Sequence, residues 1–220
     1  MFRDFKTGLK MLKYSFRIKW MLAAGILFFC VGIFFFGFFL LSHDYVIGYF
    51  QGTVYWTLSG VMFCSAITSL GVSNMVQSSP RKKSLHTSVP VCMNLCYYLI
   101  TYILFLLMGL LIWGMSGQRQ QPGDPVVYGL MAALIMVYSV GCLKLFYAAI
   151  LFLIVVFLPV LWGGAEAICL ALADLPMGAA VCIGLAEILL GACVQYLLLR
   201  LAYRLPVDRA TVTGTLRKYL

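Results

Sequence analysis

Residues 17–41 read RIKWMLAAGILFFCVGIFFFGFFLL, a run of twenty-two uncharged, mostly apolar residues closed on its N-terminal side by Arg17 and Lys19. A bilayer crossing needs roughly 20 such residues in a helix. Four further apolar segments follow, at about 52–75, 89–115, 126–165 and 177–199. The stretch 126–165 is twice the length of one span and is interrupted only by Lys144, so it divides there into a fourth and a fifth crossing. The 220 residues are 63% hydrophobic and 10% charged, which excludes an ordinary water-soluble domain. Backbone groups in lipid must be satisfied internally, so the spans are expected to be helices. The expectation is an all-α, six-span membrane domain over residues 20–205. An interfacial segment at 1–19 precedes it and a tail at 206–220 follows it.

The basic residues set the expected orientation. Arg3, Lys6, Lys10, Lys13, Arg17 and Lys19 precede the first span, and Arg81, Lys82 and Lys83 follow the second. Lys144 sits at the fourth-to-fifth turn, and Arg200, Arg204, Arg209, Arg217 and Lys218 end the chain. With six spans all of these share one side, and Arg119 alone lies on the other. The positive-inside rule places the basic side, with both termini, in the cytoplasm of a cell membrane. The net charge of +9 then belongs mainly to the inner face, where it meets anionic lipid or an acidic partner. Little soluble domain remains to bind nucleic acid. The first run is too long for a signal-peptide core and has no clean small-residue cleavage site before Ser42, so it counts as a mature span.

Two connecting segments carry pattern. Phe2, Phe5, Leu9, Leu12 and Phe16 recur at 3-4-3-4 spacing, and Lys6, Lys10, Lys13 and Arg17 follow with Arg3 one position later. That makes an apolar stripe beside a basic one, the pattern of a helix lying in the membrane interface. The loop 77–90, QSSPRKKSLHTSVP, has Ser78 or Ser79 to cap a helix and Pro80 to open its first turn. It is expected to form a short basic helix across the inner mouth, or else a solvated loop that only sets topology. The segment 163–176, GGAEAICLALADLP, is too short for a pair of spans. It reads as short helices dipping into the outer leaflet, a re-entrant element before the last span.

Site chemistry is sparse. The eight cysteines lie mostly within spans and suggest no disulfide framework. Cys92 and Cys96 share a helix face without a third ligand, so no metal site is expected. His43 and His86 fall on opposite sides in this topology. There is no GxxxxGK[ST] phosphate loop, no HExxH and no GxSxG. Glu187 is the one acid deep in a span. It reads as a proton site or substrate contact, or as a structural group bonded to Asn94, Ser69 or Tyr138.

The six spans, amphipathic leader, short inner helix and outer element before span six together resemble the permease subunit of type-2 ABC exporters, the type V fold. The compact loops are similar to permeases for amphipathic peptides of the phenol-soluble-modulin or bacteriocin kind. The resemblance implies a connecting helix at residues 2–19. It also implies a coupling helix at 79–87, in which Pro80, Arg81, Lys82, Lys83, Ser84, Leu85 and His86 meet an ATPase, with Leu85 as apolar anchor. Residues 163–176 would be the paired outer helices. A separate ATPase subunit would hold ATP and magnesium, and a second permease copy or homologue would complete a dimer. This chain would bind no cofactor and catalyse nothing alone. The competing expectation is the small-molecule (vitamin) capture subunit of an importer. A membrane enzyme is disfavoured by the lack of clustered His, Asp and Glu.

Overall fold

The computed structural model describes residues 6, 16–42, 50–70, 80, 82–117, 120–144, 146–157 and 163–204. All regular structure among them is helical. The helices are α1 (Phe16–Ser42), α2 (Gln51–Leu70), α3 (Lys82–His86), α4 (Ser88–Ser116), α5 (Gly123–Lys144) and α6 (Phe146–Phe152). A wider π-type turn, Leu153–Phe157, extends α6. Then come α7 (Ala165–Ala171), α8 (Met177–Leu201) and a closing 3-10 turn, Ala202–Arg204.

Four helical stretches among the described residues are long and apolar enough to cross a membrane. They are Lys19–Leu40, Lys82–Met115, Gly123–Gly141 and Met177–Arg204. These match the first, third, fourth and sixth expected spans. The expected second span is the helix α2, whose N-terminal half carries Gln51, Thr53, Thr57 and Ser59. Thr57 returns its hydroxyl to the Val54 carbonyl at 2.8 Å, and Ser59 to the Trp56 carbonyl at 2.6 Å, while Ser59 also meets the Tyr97 hydroxyl of the neighbouring helix. The expected fifth span is described to Phe157, and residues 158–162 lie outside the described set.

No glycine or proline separates Phe16 from Trp20, and α1 runs unbroken from Phe16 to Ser42, with the apolar crossing stretch beginning at Lys19. Lys6 is helical and exposed. Phe2, Phe5, Leu9, Lys10, Leu12 and Lys13 lie outside the described residues.

Two helix pairs organise the bundle. In the first, Trp56 of α2 lies flat on Phe29 of α1, with ring centroids 4.6 Å apart, and its Nε1 donates to the Phe29 carbonyl at 3.1 Å. Gly32 makes the room, since a Cβ there would stand 2.3 Å from the indole. The second pair is α5 with α8. Rings join the two pairs through α4. Phe36 meets Trp56 and Phe105, Phe105 stacks on Tyr128 at 4.8 Å, and Tyr128 meets Tyr102 at 5.7 Å. Phe36, Tyr98, Phe105 and Tyr128 are fully buried. The outward faces of α1, α4 and α8 stay apolar and exposed, as lipid-facing surfaces do: Leu27, Phe34, Leu107, Leu111, Leu190 and Leu197 are examples.

Candidate functional site: a polar seam inside the bundle

The α5–α8 contact is built on small residues. Ala180, Gly184, Ile188, Gly191, Ala192, Gln195 and Leu199 form the buried stripe of α8. Gly184 lets α8 touch the backbone of α5, because a Cβ there would stand 2.3 Å from the Pro125 carbonyl oxygen. Gly191 does the same against Ala133, at 2.6 Å from its Cα. Helices in lipid gain no hydrophobic drive from pairing, so close approach and shared hydrogen bonds hold them together.

Polar groups run along this same contact. At the α5 start, Asp124 is buried; its Oδ2 accepts the Gln121 backbone N–H at 2.8 Å. The Cys169 Sγ of α7 lies 3.7 Å from Asp124 Oδ1, which ties α7 to this corner. One level deeper, the Tyr102 hydroxyl donates to the Val181 carbonyl at 2.9 Å. Glu187 lies next, with its Oε2 2.7 Å from where a Gly129 Cβ would be. Further along, Gln195 Nε2 donates to Ser139 Oγ at 2.9 Å, and Ser139 donates to the Met136 carbonyl at 2.7 Å. At the far end, His86 is buried and faces the Tyr203 ring edge-on at 6.2 Å.

Glu187 Oε2 is buried with no hydrogen-bond partner among the described residues, and so are both amide atoms of Asn94. The Glu187 carboxyl faces the α5 backbone at Gly129 and Leu130, and Leu130 supplies it a backbone hydrogen bond. The seam therefore combines hydrogen-bonded polar groups with buried ones that have no partner among the described residues, such as Glu187 Oε2 and Gln195 Oε1. No group of three His, Cys, Asp or Glu side chains suited to a metal exists among the described residues. A cavity of about 280 Å3 lies between α4 and α8, lined by Gly109, Leu110, Trp113, Gln120 and Met177.

Part of the 77–90 loop folds as a short helix, while Ser78, Ser79 and Arg81 lie outside the described residues. α3 is five residues long and passes into α4 through a turn at Thr87, at φ −118° and ψ −72°. The Thr87 N–H donates to the Lys83 carbonyl at 3.1 Å, its Oγ1 donates to the same oxygen at 2.8 Å, and Ser84 Oγ pairs with Ser88 Oγ at 2.8 Å. Pro80 and Lys83 are exposed and Lys82 is half-buried, while Arg81 lies outside the described residues. Leu85 is half-buried and, like Phe63, packs on Val89 and Met93. Pro90 falls in the first turn of α4, where no backbone N–H is needed.

The described part of the outer segment contains one seven-residue helix, α7, whose Ala165 and Cys169 are buried against the α5 start. The small-residue stripe is what sequence reasoning missed. Its signal was present as Gly184 and Gly191, two turns apart on one face of α8.

No family model matches this chain, and neither a curated protein nor a solved structure does.

Proposed function

We propose that the chain is the membrane-spanning permease subunit of an ATP-driven type-2 exporter that moves amphipathic peptides or lipid-like cargo out of the cell. In this reading it has six spans in the plasma membrane, with both termini in the cytoplasm. Residues 163–176 form the re-entrant element. It works as a dimer with a second permease copy or homologue, and a separate ATPase holds ATP and magnesium.

The attachment of α3 is the observation that carries this reading. The exposed Lys83 and half-buried Lys82 sit on a short helix that passes into α4 through a turn at Thr87. Its Leu85 packs on Val89 and Met93 of α4, where Phe63 of α2 also packs, and its His86 faces Tyr203 just beyond α8. In this reading a push on the α3 surface passes to α4 and, through His86, to the end of α8. A loop needed only for topology has no use for these contacts.

The test is co-purification of the chain from its native membrane with an ATPase that carries a phosphate loop. The charge reversal Lys82→Glu/Lys83→Glu should release that ATPase and abolish its stimulation, with gel-filtration profile and helical circular dichroism unchanged. Leu85→Asp should instead lower the stability of the permease itself. Hydrolysis of nucleotide by the pure chain, or full ATPase retention by the charge-reversed variant, sinks the proposal.

A further inference from the structure

We propose that a groove between α1, α2 and α4 is a binding site for one acyl chain of an anionic phospholipid. The groove has a volume of about 260 Å3 and opens on the surface of the bundle beside the exposed apolar side chains of Ile26, Ile100 and Leu104. Leu22, Ile26 and Phe29 form one wall, Ile100 and Leu104 the other, and Ser59, Tyr97 and Thr101 the floor. The inference does not rest on the exporter reading.

The chemistry of the floor selects the occupant. Ser59 donates to the Trp56 carbonyl at 2.6 Å and also pairs with the Tyr97 hydroxyl. Thr101 donates to the Tyr97 carbonyl at 3.0 Å. The floor hydroxyls therefore have partners already. A peptide laid here would bury amides opposite groups that are already engaged, and each unmet amide is costly in an apolar setting. A hydrocarbon chain has no such requirement. The dimensions fit as well. From Leu22 to Phe29 the wall is roughly 10 Å long at the helical rise, about two thirds of a leaflet that is roughly 15 Å deep.

Charge selects the headgroup. Lys19 lies one turn before Leu22 on the same face of α1 and is exposed. Trp20 beside it is 70% exposed. A basic residue next to an exposed tryptophan at the end of an apolar span is the composition of the headgroup zone. A chain seated in the groove thus brings its phosphate to Lys19.

Gly25 keeps the groove open. A Cβ at this position would stand 3.4 Å from the Ser59 carbonyl and 3.6 Å from the Met62 Cβ. Alanine fits there, but a leucine would have to extend into the groove. Gly37, on the same helix, has nothing within 4 Å and supplies the control.

The experiment is native mass spectrometry of the purified chain from micelles doped equally with phosphatidylglycerol and phosphatidylcholine. The wild type should retain one phosphatidylglycerol over phosphatidylcholine by about fivefold, the ratio one Lys near an anionic headgroup supplies. Gly25→Leu should lose that lipid and Gly37→Leu should keep it. Lys19→Gln should keep a lipid and lose the preference. A phosphatidylglycerol with a photoreactive tail should label Ile26, Phe29, Ile100 or Leu104 of the wild type, a readout that does not depend on how any variant folds. Labelling spread evenly around the bundle overturns the site, as does equal lipid retention by a folded Gly25→Leu variant. Displacement of the label by an amphipathic peptide, with no lipid retained, would make it a peptide site instead.

Discussion

Gly184→Ala should push α8 away from α5. The new Cβ would stand 2.3 Å from the Pro125 carbonyl oxygen, 2.6 Å from the Tyr102 hydroxyl and 2.9 Å from the Pro125 carbonyl carbon. Even a close C···O contact is about 3.3 Å, so the shortfall is roughly 1 Å. Tyr102 can swing aside, but Pro125 is helix backbone and cannot. Overpacking of this kind costs about 1–3 kcal/mol. Weakening the Tyr102–Val181 hydrogen bond adds about 0.6 kcal/mol, the average for such bonds in membranes. The better helix propensity of alanine returns up to about 1 kcal/mol. The net expectation is a loss of roughly 1–3 kcal/mol. Equilibrium unfolding in mixed micelles measures it, with Gly37→Ala as reference because nothing lies within 4 Å of that position. Gly191→Ala should behave like Gly184→Ala, and the double variant should cost less than the sum, since one displacement relieves both clashes. Equal stability of Gly184→Ala and Gly37→Ala would refute the packing argument.

Three other outcomes can be checked by similar means. Ser139→Ala should cost about 1–2 kcal/mol because it strands the buried Gln195 amide, while Gln195→Leu should be near neutral, and the same unfolding assay separates them. Trp56→Ala should cost about 3–5 kcal/mol, the range for emptying a large buried aromatic site, read as a fall in the melting midpoint. In a cysteine-free background, Gly117→Cys and Gly214→Cys should react with a membrane-impermeant maleimide from opposite sides, and same-side labelling would overturn the six-span topology.

The helical class and four apolar crossings were legible because composition and run length report them directly. Pro90 was legible too, because proline acts locally and is tolerated in the first turn of a helix such as α4. Helix pairing was not. In a soluble protein the buried face of a helix is its apolar face, but lipid is as apolar as a core. Leu190 and Ile188 are chemically alike, yet one is 65% exposed and the other fully buried. Only the spacing of Gly184 and Gly191 marked the contact. The partners suggested for Glu187 came from residue type alone, and which side chain it meets depends on the crossing at Gly129. The leader's stripes fall mostly on residues 1–15, of which only Lys6 is described, while the apolar crossing begins at Lys19 where the charge ends.

The pairing of α5 with α8 bears on how the chain is made. α1 and α2 are neighbours in sequence and can close their Trp56–Phe29 contact as soon as both leave the ribosome. α5 ends at Lys144 and α8 at Leu201, so 57 further residues must be synthesised before its partner is complete. At about 5–20 residues per second, that interval is roughly 3–11 s. Throughout it, the groove over Gly129 and Ala133 and the hydroxyl of Ser139 await the helix that covers them. A nascent α5 is therefore a natural client for an insertase or intramembrane chaperone. A transcript cut short before Met177 would present the same uncovered face to the quality-control proteases of the membrane.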